Sequence, residues 1–195
     1  MNYASFNIPL FLTGLRLTIS PLLPVLLVQF LPLGIPGWHT TLGILFLILG
    51  LTDFLDGYIA RKYKQETILG KLLDPVADKF LVLSTAIALV YLQKIFFYWA
   101  IIVIARDVFV MGLREVSLTR GFSVPVAWQG KLKTMLQLSY LAVVILNPWT
   151  EYEQAPLWFT VEYTLFYASL TITVYSAFTY YQDFYNKYLV SSQKH

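Results

Sequence analysis

The sequence contains no cysteine. Disulfides, thiolate nucleophiles and thiolate-ligated zinc are therefore excluded. Histidine is nearly absent: His39 and His195 are the two, far apart in sequence, the second at the terminal position. Neither a histidine-built metal site nor Ser-His nucleophilic catalysis is expected from them. Charge is also sparse, at 13% of residues, against about 25% in a soluble domain. No basic stretch precedes the first apolar run, because the first positive residue is Arg16. A cleavable signal peptide is not expected. Internal repeats and low-complexity segments are absent too.

What is present is apolar. Hydrophobic residues make up 57% of the 195, and the runs recur from end to end. This composition predicts an all-α, polytopic integral membrane protein of one domain, residues 1–195, rather than a soluble domain with one anchor. Six transmembrane helices are expected, roughly Ile8–Leu31, Thr40–Arg61, Gly70–Leu92, Ile95–Leu118, Pro125–Leu146 and Leu157–Tyr181. Each is close to the ~20 residues needed to cross a bilayer. Pro32, Gly34, Pro36 and Gly37 separate the first two, Asn147-Pro148 follows the fifth, and Pro21 and Pro24 are expected to kink the first.

The small net charge of +3 is unevenly placed. Arg61, Lys62, Lys64 and Lys71 follow the second helix, and Arg114, Arg120, Lys131 and Lys133 follow the fourth. The intervening loops hold Lys94 as their one basic residue, with Glu151 and Glu153 after the fifth helix. The positive-inside rule puts the two basic loops, and both termini, in the cytoplasm. The segment before Ile8 is read as juxtamembrane, and Trp99, Trp149 and Trp158 as anchors at the opposite interface.

Against this background stand four aspartates. Asp53 and Asp56 are three residues apart, sharing a helix face that Gly57, Ala60 and Arg61 continue; Gly70, Asp74 and Asp78 step by four along the next helix. One aspartate at a membrane helix centre costs about 2.5–3.5 kcal/mol, so four without partners would cost on the order of 10 kcal/mol. Such residues persist where they face a cavity and are neutralised. A carboxylate-only ligand set favours hard divalent ions, Mg²⁺ or Mn²⁺, and four carboxylates can hold two. The small Gly57, Ala60 and Gly70 leave room for a ligand or another helix, and Arg61 can pair with a carboxylate or phosphate.

The pattern Asp53-x-x-Asp56-Gly57-x-x-Ala60-Arg61, eight residues, then Gly70-x-x-x-Asp74-x-x-x-Asp78 resembles the signature of the CDP-alcohol phosphotransferase family. Eight identities fall at fixed offsets over 26 residues. The resemblance implies a six-helix bundle with a cytoplasm-facing polar cavity. It also implies two divalent metals held by Asp53, Asp56, Asp74 and Asp78 on the diphosphate of a CDP-linked substrate, with Asp78 as the base. Gly57, Ala60, Arg61 and Gly70 would then face the CDP-lipid. "NIPLFLTGLR", "LDPVADK", "ARDVFVMGLRE" and "GKLKT" look like the branch that forms phosphatidylglycerophosphate. Its substrates would be CDP-diacylglycerol and sn-glycerol 3-phosphate, and a homodimer in a bacterial inner membrane is implied. One departure is visible: the branch often has Arg-Glu where this chain has Arg106-Asp107.

An acceptor bearing a phosphate needs cations. Arg106, Arg114, Lys131 and Lys133 are the candidates. Arg106 lies in an apolar helix, and Arg114 eight residues on is about two turns away on a related face. Asp107 is expected to point elsewhere, leaving Arg106 unneutralised. Arg16 is compatible either with snorkelling to the cytoplasm or with lining the cavity. A neutral acceptor would not need the cations, and an ion pathway through the carboxylates is the competing class of function.

Overall fold

The computed structural model describes residues 18–63, 68–125, 128–149 and 152–192, with the side chains of 36, 53–63, 68–78, 152 and 190–192 outside the description. Arg16 and the start of the expected first helix therefore lie outside the described residues. Six α-helices follow: α1 (Leu22–Phe30), α2 (Pro36–Tyr63), α3 (Ile68–Tyr91), α4 (Phe97–Thr119), α5 (Trp128–Leu146) and α6 (Pro156–Ser192). No strand occurs among the described residues. The fold is all-α, as the composition predicts.

The breakers act where expected, by different means. Thr18 and Ile19 are helical, Ser20 and Pro21 form a turn, and α1 resumes at Leu22, so the first helix is interrupted rather than merely bent. Pro24 falls in the first turn of α1, where its missing N–H needs no intrahelical partner. Gly34 takes the left-handed φ of 65° that closes the short turn Leu31–Leu33, and Pro36 opens α2. At the end of α3, Gln93 (φ 57°) takes the left-handed position, with Lys94 N–H on Leu89 O and Gln93 N–H on Val90 O, both 2.9 Å. Gly121 (φ 75°) closes α4 with the same pair of bonds.

Two compact units emerge, one of residues 1–95 with 141–154, the other of 96–140 with 155–195. In the first, α1 buries Leu23, Leu27 and Leu31 at four-residue steps, and α2 buries Leu42, Phe46 and Leu49. Leu81, Val82, Ala86 and Leu89 of α3 complete this core with Leu141 and Ile145 from the end of α5. Polar ties fix its loop end. His39 Nδ1–H donates to Ile145 O at 2.9 Å, Lys94 Nζ donates to Asn147 O at 3.1 Å, and Trp149 N–H donates to Asn147 Oδ1 at 3.0 Å. Gly43 allows α2 to approach Leu146 closely: a Cβ there would stand 2.6 Å from Leu146 Cγ. Gly43→Ala is expected to cost about 1–3 kcal/mol by overpacking, and Gly43→Ala combined with Leu146→Ala less than the two single costs added. Thermal unfolding of the three variants measures this; strict additivity would mean the contact does not constrain the helices.

In the second unit the buried residues mix apolar and polar side chains: Trp99, Ala100 and Val103 with Asp107 and Ser117 on α4, Tyr140 with Lys133 and Gln137 on α5, and Phe166 with Ser169, Thr173 and Ser176 on α6. Trp99 donates its Nε1–H to Ser169 Oγ at 2.9 Å, and Gln137 Nε2 donates to Thr173 Oγ1 at 3.0 Å. The exposed faces carry Ile101, Val108, Phe109 and Met111 on α4 and Val161, Tyr167, Val174 and Phe178 on α6.

Two expectations change. Trp99 is not an interfacial anchor; it is fully buried, its ring 5.1 Å from that of Tyr140. The last helix continues eleven residues beyond Tyr181, to Ser192, since no glycine or proline interrupts that stretch. Its end packs on the 120–124 turn: Lys187 Nζ donates to Ser123 O at 2.7 Å, and the Arg120 guanidinium lies 5.3 Å from the Tyr188 ring centre. The six expected crossings are a separate matter: no helix among the described residues is long and apolar enough to cross a membrane. In α4 the apolar run is broken by Arg106, Asp107, Arg114 and Glu115.

Candidate functional site

The signature aspartates fall on two regular helices. Asp53, Asp56, Gly57, Ala60 and Arg61 belong to α2; Gly70, Asp74 and Asp78 belong to α3. Their side chains lie outside the described residues. The helix bounds nevertheless set their register. Asp53 is ten residues before the end of α2 at Tyr63, and Asp78 is ten after the start of α3 at Ile68. Asp56 and Asp74 are seven and six residues from the same two ends. The connection spans residues 64–67, short enough to make α2 and α3 antiparallel neighbours, and the two helices touch. In that arrangement the four positions fall at two levels, roughly 10 and 15 Å along the helices from the connection. Among the described residues no group of His, Asp and Glu could hold a metal ion.

The cationic candidates separate into two classes. Arg106 and Lys133 come together, whereas Arg114 and Lys131 are exposed. The residue that joins Arg106 and Lys133 is Asp107. Its Oδ1 accepts from Arg106 Nη1 at 3.1 Å and from Lys133 Nζ at 2.5 Å. This corrects the expectation that Asp107 points away from Arg106. Adjacent residues diverge by about 100° around a helix, but the long arginine side chain folds back across that gap. The cluster is buried: side-chain exposure is 13% for Arg106, 9% for Asp107 and 6% for Lys133.

Arg106 Nε is buried with no hydrogen-bond partner among the described residues. Gln129 Oε1, one helical turn before Lys133 on α5, is in the same condition. A buried guanidinium with an open donor is suited to an oxyanion, which arginine can bind through two parallel N–H groups. Asp107 was missed as a site residue by sequence reasoning. The available signal was its position, one of two adjacent charges inside an otherwise apolar stretch from Ala100 to Val110.

Among the described residues the protein is all-helical, with an acidic motif on two adjoining helices and a buried ion cluster between α4 and α5. Comparison with known proteins makes the assignment specific. The model of the CDP-alcohol phosphatidyltransferase family matches residues 6–175, and the chain belongs to that family of transferases. A protein of Haemophilus influenzae is 36% identical over 181 residues, covering 91% of this chain and 92% of its own. Relatives from Salmonella choleraesuis and Shigella flexneri serotype 5b are each 36% identical over 90% of this chain and 93% of theirs. All three bear the name CDP-diacylglycerol–glycerol-3-phosphate 3-phosphatidyltransferase.

Proposed function

We propose that the chain transfers a phosphatidyl group from CDP-diacylglycerol to sn-glycerol 3-phosphate, yielding phosphatidylglycerophosphate and CMP. The observation that carries this reading is the end-to-end similarity to relatives of that one name, at 36% identity over nine-tenths of the chain. The buried cation cluster supports it, since a phosphorylated acceptor needs such groups and a neutral alcohol does not.

The roles follow from the chemistry of the side chains. Asp53, Asp56, Asp74 and Asp78 would hold two divalent ions; an all-carboxylate donor set suits hard cations. Bound there, Mg²⁺ or Mn²⁺ supplies positive charge against the diphosphate. Gly57, Ala60 and Gly70 leave room for the CDP-lipid, and Arg61 faces its phosphates. Asp78 takes the proton of the C1 hydroxyl of glycerol 3-phosphate. That oxygen bonds to the lipid-side phosphorus as the bond from this phosphorus to the CMP oxygen breaks. Arg106, Arg114, Lys131 and Lys133 bind the acceptor phosphate. Displacement is direct, because no separate nucleophile is evident; inversion at phosphorus is the expected stereochemistry.

The setting is read as a bacterial inner membrane, with six crossing helices and with both termini and the site cytoplasmic. Large apolar residues exposed on α4 and α6, and hydrogen bonds between buried polar side chains of neighbouring helices, support this, since both suit lipid. One catalytic domain over residues 1–195 and a homodimer complete the proposal; the family match runs across both compact units.

The test uses purified protein in detergent with CDP-diacylglycerol and radiolabelled glycerol 3-phosphate, following label into lipid. Transfer is expected with Mg²⁺ and none with EDTA. Arg114→Ala is expected to raise the glycerol 3-phosphate KM about tenfold, the loss of one charged hydrogen bond. An unchanged KM would argue against Arg114 as an acceptor ligand. No transfer by folded protein would instead send the question to serine, inositol phosphate and phosphatidylglycerol as acceptors. Metal flux into liposomes without lipid turnover would replace the enzyme by an ion pathway.

A further inference from the structure

We infer that the last turns of α6 form a clamp on the α4–α5 connection: Tyr180, Phe184 and Tyr188 are positioning residues that set the spacing of Arg114 and Lys131 for glycerol 3-phosphate. The clamp rests on side-chain packing; its bearing on the acceptor rests on the preceding reading of these two cations. Arg114 stands five residues before the end of α4, and Lys131 is the fourth residue of α5. Both are exposed. Residues 120–127 join the two helices. The Lys133–Asp107 bond ties α5 to α4, and the course of the connection sets how the start of α5 swings about that tie. A connection of this length, with Gly121 at φ 75°, has many courses open to it unless something fixes one.

The end of α6 supplies that something. Tyr180, Phe184 and Tyr188 recur at four-residue steps and form one stripe of the helix. Tyr180 and Phe184 are buried together with Val124 of the connection, and Phe122, Tyr188 and Leu113 pack against them. Leu113 is the neighbour of Arg114 in sequence. The Phe184 ring lies 5.7 Å from that of Phe122 and 5.9 Å from that of Tyr188. The connection, the end of α4 and α6 thus share one apolar core. Two polar ties close its edge: Lys187 Nζ on Ser123 O, and the Arg120 guanidinium over the Tyr188 ring. The expected crossing stops at Tyr181, so most of this stripe lies on the aqueous side of that reading, where water drives apolar burial. Tyr180 buries its hydroxyl without a partner among the described residues, a cost that the packing of the rings must offset.

The experiment loosens the clamp and then restores it in the same molecules. The full chain has no cysteine of its own, so Ser123→Cys with Lys187→Cys gives two thiols that a short bis-methanethiosulfonate bridges and a reductant releases. Phe184→Ala is added to this pair. Two readouts are used: steady-state kinetics, and amide hydrogen exchange across residues 120–127. In the reduced protein the glycerol 3-phosphate KM is expected to rise about tenfold, the size of one charged hydrogen bond misplaced. The kcat and the CDP-diacylglycerol KM should stay nearly unchanged, because the two cations bind a part of the acceptor remote from the reacting atoms. Exchange across the connection should quicken. Bridging should return both the KM and the exchange close to wild-type values. If Phe184→Ala does not fold, Phe184→Leu, which stays apolar but removes the ring contacts, carries the test. Tyr180→Phe keeps the ring and should leave the KM unchanged.

A glycerol 3-phosphate KM that responds to neither loosening nor bridging in folded protein would overturn the inference and leave the transferase assignment intact. So would a fall in kcat or a rise in the CDP-diacylglycerol KM of equal size, since that marks loosening of the whole site. A raised KM in Tyr180→Phe would overturn it too, by putting the effect on the hydroxyl instead of the packing. Conversely, exchange that follows the bridge in a protein that transfers nothing to glycerol 3-phosphate would overturn the acceptor and leave the clamp standing. No transfer and no change in exchange would overturn both.

Discussion

Asp78→Asn is expected to lower the turnover of phosphatidyl transfer by about 10²–10⁴-fold, the contribution typical of a positioned general base. The substitution is nearly isosteric, so packing along α3 changes little. What it removes, on the proposed role of Asp78, is the ability to accept the proton of the acceptor hydroxyl. Asp78 shares its helix with Asp74 four residues earlier and stands level with Asp53 across the α2–α3 connection, a register that suits both a base and a metal ligand. The Mg²⁺ dependence separates the two roles. If Asp78 acts as the base alone, the metal concentration for half-maximal rate is unchanged while kcat collapses. If it is also a ligand, that concentration rises as well, as expected for Asp53→Asn, Asp56→Asn and Asp74→Asn. A folded Asp78→Asn protein retaining a tenth or more of the wild-type kcat would remove it from the chemistry. Asp78→Glu keeps the charge on a side chain one methylene longer and is expected to be intermediate.

The second large effect is on stability. Trp99→Ala is expected to destabilise the unit formed by α4, the first part of α5 and α6 by about 3–5 kcal/mol, the usual cost of deleting a buried large aromatic. Trp99 is fully buried, contacts the ring of Tyr140 at 5.1 Å and is bonded to Ser169 at 2.9 Å. Ser169→Ala, which strands the buried indole N–H, is expected to cost about 1–3 kcal/mol. Trp99→Phe should fall between the two. Thermal unfolding in detergent measures the series. Were Trp99 an interfacial anchor, Trp99→Ala would change the midpoint little and Ser169→Ala would not change it at all.

The sequence by itself determined the all-α class, because apolar runs of helical length, bounded by proline and glycine, leave the backbone no other economical way to satisfy its hydrogen bonds. It also determined the acidic signature, since three- and four-residue spacings give a shared helix face whatever the rest of the chain does. Both are local properties, carried within a few turns of one helix. The ends of helices were less legible. The extended end of α6 meets the 120–124 turn through Lys187 and Tyr188, contacts made across more than sixty residues.

What only the tertiary structure decided is equally specific. Trp99 could have served lipid or core; Ser169, 70 residues away, made it core. The four cationic candidates looked alike in the sequence. Packing of α5 against α4 brought Lys133 to Asp107 and left Arg114 and Lys131 exposed. Helical periodicity placed Arg106 and Asp107 on diverging directions, and a long flexible side chain reversed that conclusion. The physical reason is common to all three. Periodicity fixes where a Cβ points, but the partner that arrives there, and how far a side chain bends to meet it, depend on the burial of charges and hydrogen-bonding groups contributed by distant segments of the chain.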